Sequence, residues 1–236
     1  MCGRVDIHDL RPVKEDVRKY YEGNVEDYIV YDALGYNVPP SSDLPVWYER
    51  QGTGVLYPMH WGLVPHWAKE RNTRYSMINA RSEEVERKPA YRDAFRKRRC
   101  LIPVNGFYEW QKLPGSKTKQ PWYFTAKERP YLLLAGLWDE WRGDGEVLRS
   151  CTILTTRPNA TMKPIHDRMP VIVRPEEAAL WLDTSVRDTR ALKRLLEPVE
   201  EDYLQEWPVS PACNSPAVDD ERCVRPLSTP KGRLFT

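Results

Sequence analysis

The sequence predicts an α+β fold built on a largely antiparallel sheet, and three features of the 236 residues predict it. Five strand-like segments follow one another between positions 100 and 155. Turn signals such as Pro114-Gly115-Ser116 and Asp144-Gly145 separate them, and neighbours joined by short turns pair antiparallel. Helical spacing is confined to short stretches before and after that block.

Residues 11–22 carry Val13, Val17 and Tyr20 or Tyr21 at helical spacing and predict a short amphipathic helix. Residues 31–54 are rich in Pro, Gly and Ser and read as loop with short extended pieces. A second helical stretch begins near Ser82, an N-cap candidate with Glu83 and Glu84 in the first turn. Pro89 either breaks it or opens a new helix running to about Lys97. The period then changes, and Cys100–Val104, Phe107–Gln111, Trp122–Ala126, Tyr131–Leu137 and Leu148–Thr155 read as strands, followed by a short one at Met169–Val173. Pro175 opens a helix through Leu182, and another spans Asp188 to Leu196. No internal repeat or low-complexity linker interrupts the chain, so residues 1–236 are expected to form a single domain.

Composition narrows the classes. Hydrophobic content of 41%, with 9 Trp and 13 Tyr, suffices for a core, and no apolar run approaches the ~18 residues a spanning helix needs. Arg4, Asp6, His8, Asp9 and Arg11 interrupt any signal-like apolar stretch at the start. The expectation is a cytoplasmic or nucleoid-associated chain with no membrane partner. Five cysteines without a C-x-x-C pair point away from a disulfide framework or a structural zinc site. Net charge is only +2, but residues 81–100 hold eight Lys/Arg against four Asp/Glu, whereas Glu197 to Glu221 contains eight acids and no Lys or Arg. Such asymmetry is either a solvated face or a basic surface for a polyanion.

Cys2 follows the initiator methionine in Met1-Cys2-Gly3-Arg4. Removal of Met1 would leave a 1,2-aminothiol whose α-amine, with a reference pKa of roughly 7.7–8.0, is partly neutral near pH 7. That pair can attack one aldehyde twice, closing a thiazolidine; the plain alternative is a small residue at a frayed terminus. Glu109, in Gly106-Phe107-Tyr108-Glu109-Trp110, shares a strand face with Phe107 and Gln111 if the strand alternates, with Tyr108 and Trp110 opposite. It reads either as a general acid–base carboxylate in apolar surroundings or as an edge residue facing water. His166, in Pro164-Ile165-His166-Asp167-Arg168-Met169-Pro170, either transfers protons or bonds Asp167 or a backbone carbonyl. Asn79 either caps a turn or orients a reacting oxygen. A metal held by Cys2, Glu109 and His166 lacks any short ligand spacing and is not expected. Trp67 is either a stacking platform for bases or core. Arg4, Arg81 and Arg168 each lie within two residues of Cys2, Asn79 or His166, and the guanidinium fork suits phosphate.

Taken in order, these segments resemble the SOS response-associated peptidase (SRAP) family of abasic-site processing proteins. The matching segments are Met1-Cys2-Gly3-Arg4, Tyr36-Asn37-Val38-Pro39-Pro40, Trp61-Gly62-Leu63-Val64-Pro65, Ile78-Asn79-Ala80-Arg81-Ser82-Glu83, Arg99-Cys100-Leu101-Ile102-Pro103, Gly106-Phe107-Tyr108-Glu109-Trp110, Ile165-His166-Asp167-Arg168-Met169-Pro170 and Pro208-Val209-Ser210. The resemblance implies a barrel-like β core flanked by short helices. It also implies a processed Cys2 that crosslinks to the ring-opened aldehyde of an abasic site in single-stranded DNA. By the same matching, Glu109 would move protons at the Cys2 amine and the sugar, His166 would assist ring opening, and Asn79 would position Cys2 and the lesion. Arg4, Arg81 and Arg168 would grip phosphates, with Trp67 and the Asn37 loop shaping the DNA. The family name implies self-removal of Met1. No cofactor, no metal and a monomer are expected. Asn105 stands where an acid often precedes the Gly-Phe-Tyr-Glu-Trp motif, and Ala68 where some members carry a second Trp. Two rivals remain: an N-terminal-nucleophile amidohydrolase or peptidase, and a non-catalytic single-strand binding module.

Overall fold

The computed structural model describes residues 2–30, 34–71, 77–186 and 189–227. In chain order the elements are β1 (Val5–Asp6), α1 (Arg11–Tyr20), β2 (Val25–Asp27), β3 (Asp43–Arg50), β4 (Thr53–Trp61), β5 (Asn79–Arg81), α2 (Arg92–Lys97), β6 (Arg99–Val104), β7 (Gly106–Lys112), β8 (Lys119–Ala126), β9 (Leu132–Gly143), β10 (Glu146–Thr156), β11 (Met169–Pro170), α3 (Ala178–Leu182), α4 (Thr189–Leu195) and β12 (Leu204–Pro208). The α+β class and the antiparallel core match the sequence expectation.

Five strands close on themselves. β10, β9, β6, β3 and β4 pair antiparallel in that order, and β4 returns to β10 through a short parallel contact that sets His60 opposite Ser150 and Trp61 opposite Cys151. Closure removes the exposed edges that an open sheet of this size presents. Leu44, Val46, Leu56, Met59, Leu101, Leu134, Leu137 and Ile153 are buried within the main core. A second sheet runs β1-β7-β8-β12. Only Asn105 separates β6 from β7, so one chain passes directly from barrel to second sheet. Its amide oxygen accepts from the Asp9 N–H at 2.9 Å while its nitrogen donates to the carbonyls of Asp9 and Pro130 at 2.8 and 3.0 Å. A carboxylate at this position could not make the two donor contacts.

Two sequence expectations need correction. The 31–54 region is not chiefly loop: β3 and β4 form a long hairpin whose turn is Gln51-Gly52, both at positive φ (52° and 77°). Asp144-Gly145 makes the same kind of turn between β9 and β10 and was legible because Asp-Gly is a favoured pair there. Gln-Gly is not, and Pro45 opposite Pro58 further masks the strands. Nor does a helix start at Ser82. Asn79, Ala80 and Arg81 pair parallel with Ile153, Leu154 and Thr155, and the Ser82 N–H continues that ladder to the Thr155 carbonyl at 2.9 Å. Residues 82–87, where the cap reading needed a helix, form only turns, with the Glu84 N–H on the Arg81 carbonyl and the Arg87 and Lys88 N–H groups on the Glu84 carbonyl. α2 forms only after Pro89. α1, α3 and α4 lie where helices were expected, though Asp188, the expected start of the last, is outside the described residues. No helix among the described residues is long and apolar enough to cross a membrane.

Candidate active site around Cys2

The N-terminal segment lies antiparallel along the start of β7, with Val5 opposite Phe107 and the Tyr108 N–H donating to the Arg4 carbonyl at 3.1 Å. Strand alternation then divides β7 as its sequence suggests. Phe107 joins the main core, whereas Tyr108 and Trp110 pack on the other side with Tyr123, Val209, Cys213 and Cys223. Glu109 is 2% exposed, and its Oε2 lies 3.8 Å from His166 Nε2. Burial pushes its carboxyl pKa up, against the pull of the imidazole.

Cys2 is fully buried beside this pair. Burial pushes its thiol pKa far above the usual range, and the Glu109 charge adds to the effect. Its carbonyl accepts a hydrogen bond from Asn79 Nδ2 at 2.7 Å. The Asn79 Oδ1 is buried with no hydrogen-bond partner among the described residues. Cys2, Asn79, Glu109 and His166, drawn from four separate stretches of sequence, therefore meet at one place. Met1 lies outside the described residues.

The remaining expected residues divide into three groups. Arg168 follows His166 and donates to Glu83 Oε1 and Oε2 at 2.7 and 2.9 Å and to the Thr155 carbonyl at 2.6 Å. Arg81 is exposed at the end of β5, close enough for its charge to help lower the Glu83 pKa after the larger effect of Arg168. Arg4 and Asn37 sit together on the far side of β7. The Arg4 guanidinium donates to Asn37 Oδ1 at 2.8 Å and the Cys213 carbonyl at 3.2 Å, over the Trp110 ring. The Asn37 amide, in a residue 1% exposed, donates to the carbonyls of Cys213, Ser215 and Val218. These two side chains tie the C-terminal segment to the sheet. Trp67 is 55% exposed on a loop of its own. Asp139 anchors that loop by accepting from the His66 N–H at 3.0 Å, and the Trp141 indole donates to the Ala68 carbonyl at 2.8 Å.

Three contributors escaped sequence reading. Glu83 grips Arg168, Asp139 anchors the Trp67 loop, and Gln111 donates to the Pro164 carbonyl at 3.1 Å. The alternation that placed Gln111 on the Glu109 face was the one available signal; Glu83 and Asp139 find partners remote in sequence. Among the described residues, no group of three His, Cys, Asp or Glu side chains is arranged to hold a metal ion.

The family model for SOS response associated peptidase (SRAP) matches residues 1–216. The abasic site processing protein YoqW of Bacillus subtilis is 40% identical over 219 residues, covering 92% of this chain and 95% of its own. The abasic site processing protein HMCES of Mus musculus is 31% identical over 270 residues, covering 96% and 76%. Among solved structures, a protein from Bacteroides thetaiotaomicron superposes with a TM-score of 0.83 at 24% identity, covering 96% of this chain and all of that one. A phage-related protein from Bordetella bronchiseptica gives 0.68 at 29% identity, covering 88% and 94%. With its fold matched and its sequence matched through the segments that carry Cys2, Asn79, Glu109 and His166, the chain belongs to the SRAP family.

Proposed function

We propose that this protein processes abasic sites in single-stranded DNA by crosslinking to them through Cys2 once Met1 has been removed. The observation that carries the reading is the 2.7 Å hydrogen bond from Asn79 to the Cys2 carbonyl, which holds the second residue beside the Glu109–His166 pair. Relatives that share this framework are named abasic site processing proteins.

In the proposed sequence the neutral Cys2 amine adds to the aldehyde of the ring-opened sugar and forms a carbinolamine. Loss of water gives an imine. The thiol sulfur then adds to the same carbon as its proton passes to nitrogen, closing a five-membered thiazolidine; one water leaves overall. Glu109, with its pKa raised by burial, is suited to give and take the protons of the dehydration step. His166 serves the sugar oxygens, and Asn79 orients the terminus. Arg81, exposed at the end of β5, and Arg168, two residues after His166, would supply guanidinium groups for flanking phosphates, and the exposed Trp67 ring would stack on a base. The reading takes the chain as one SRAP domain acting as a monomer, without cofactor or metal.

A peptidase that attacks amides with a Cys2 thiolate is less well supported. Such cysteines have lowered pKa values, whereas burial raises this one. Intact mass spectrometry of the protein mixed with single-stranded DNA holding one abasic site tests the proposal. The expected species is the chain without Met1, joined to the DNA with loss of one water. Cys2→Ser should bind DNA and give no adduct that survives heating; a heat-stable adduct from that variant would overturn the mechanism.

A further inference from the structure

We propose that Gln111 and Glu83 are positioning residues for His166, holding its loop from both sides so that the imidazole proton sits on Nε2 and faces Glu109. Its catalytic consequence rests on the function proposed above; the geometry does not.

The segment between β10 and β11 makes few strand contacts before β11, and two side chains fasten the part that carries His166. On one side, Gln111 Nε2 donates to the Pro164 carbonyl at 3.1 Å. Its Oε1 accepts from the Trp122 indole N–H at 3.0 Å, which fixes the amide orientation and aims its donor at Pro164. On the other side, both Glu83 oxygens receive Arg168 in a two-bond clasp, and the same guanidinium reaches the Thr155 carbonyl. Between the anchors, the Arg168 backbone N–H donates to His166 Nδ1 at 3.0 Å. A ring nitrogen that accepts a hydrogen bond carries no proton, so the neutral imidazole keeps its proton on Nε2. That nitrogen is 3.8 Å from Glu109 Oε2, about 1 Å from hydrogen-bond contact. Asp167 Oδ1 also lies 3.0 Å from Nδ1 and could accept from an Nδ1–H, but its side chain is 89% exposed and screened by water, whereas the Arg168 N–H points its own hydrogen at that nitrogen.

The anchors share strands or segments with the other groups at the candidate site. β7 carries both Glu109 and Gln111 on one face; the segment starting with β5 carries both Asn79 and Glu83. Each of these two stretches thus supplies one group at the candidate site and one anchor for the His166 loop.

The test is the imidazole nitrogen spectrum of ¹⁵N-histidine-labelled protein at a pH where the rings are neutral, free of DNA. It compares wild type, Gln111→Met, Glu83→Ala and the double variant, with His166→Gln identifying the resonances. Wild type should show the Nε2–H form at His166, and the double variant a mixture of both neutral forms. Its single-turnover crosslinking rate with abasic single-stranded DNA, measured at saturating DNA so that any change in Arg168 binding drops out, should fall about tenfold. A wild-type Nδ1–H form, or an unchanged Nε2–H form in the double variant, would overturn the proposal. Tighter DNA binding by Glu83→Ala with an unchanged tautomer would also overturn it, leaving Glu83 as a competitor of phosphate for Arg168. Absence of crosslinking in wild type would instead strike the proposed function and leave the positioning claim standing on the spectra.

Discussion

Replacing Asn79 with Ala removes a single donor, and the structure sets the size of the expected effect. Asn79 Nδ2 gives the Cys2 carbonyl a 2.7 Å hydrogen bond, and Cys2 is fully buried. The lost bond and a buried carbonyl left unsatisfied together cost about 1–3 kcal/mol. If that energy holds the terminus in its reactive position, the correctly placed fraction falls roughly 5- to 150-fold, at about 1.4 kcal/mol per decade. Single-turnover crosslinking of abasic single-stranded DNA, with DNA in excess, should slow by that factor. Affinity for undamaged single-stranded DNA should change little, because the donor faces the chain's own carbonyl. Asn79 lies at the first position of a strand, and the ladder from Ile153 to Thr155 uses backbone groups that alanine retains. The melting temperature therefore controls for general damage. Crosslinking at the wild-type rate, with the variant folded, would refute the idea that this bond positions Cys2.

Other consequences follow from burial and charge. Glu109→Gln should slow crosslinking by roughly 10²- to 10⁴-fold, the usual range for a lost general acid–base group. It should also raise the melting temperature at neutral pH. Burial raises the Glu109 pKa in the folded chain, so between the ordinary glutamate value and the raised one the native state binds a proton that the unfolded chain has released. Stability therefore falls as pH rises through that interval; glutamine escapes the loss, and the two melting curves should converge in acid. Trp67→Ala should leave stability almost unchanged, because the ring is 55% exposed, while weakening single-stranded DNA binding by about 1–3 kcal/mol in a fluorescence titration. Arg99→Met should destabilise the fold by about 3 kcal/mol or more in urea unfolding. The Arg99 guanidinium donates to the carbonyls of Phe95, Trp181 and Asp183, and methionine would leave all three without this donor.

Much of this protein could be read before any coordinate. Alternation from Cys100 to Thr155 and turn pairs such as Asp144-Gly145 announced an antiparallel core, because period-2 patterning and positive-φ turns are local properties. The β3–β4 hairpin escaped for the same reason: its Gln51-Gly52 turn and paired prolines carry weak local signals, and its pairing with Leu101 and with Ser150 and Cys151 is remote in sequence. Ser82 carries the local signature of an N-cap, yet the residues after it close only turns, and the Asn79–Arg81 strand before it pairs with β10, some seventy residues away.

The residue types at the candidate site were equally legible. Cys2, Asn79, Glu109 and His166 could be singled out by neighbours and chemistry, and the family motifs ordered them. Sequence by itself determined which groups are available: a second-position cysteine, a carboxylate on the Phe107 face of its strand, and a histidine flanked by Asp167 and Arg168. Only the tertiary structure decided that they meet, and in what surroundings. It buried Arg4 and Asn37 as ties for the C-terminal segment and gave Arg168 a carboxylate partner in Glu83. The physical reason is that burial and pairing depend on which strands close the barrel and which loops are fastened across it. Those long-range contacts set the Glu109 pKa and the direction of the His166 proton, and neither property is written in the local sequence.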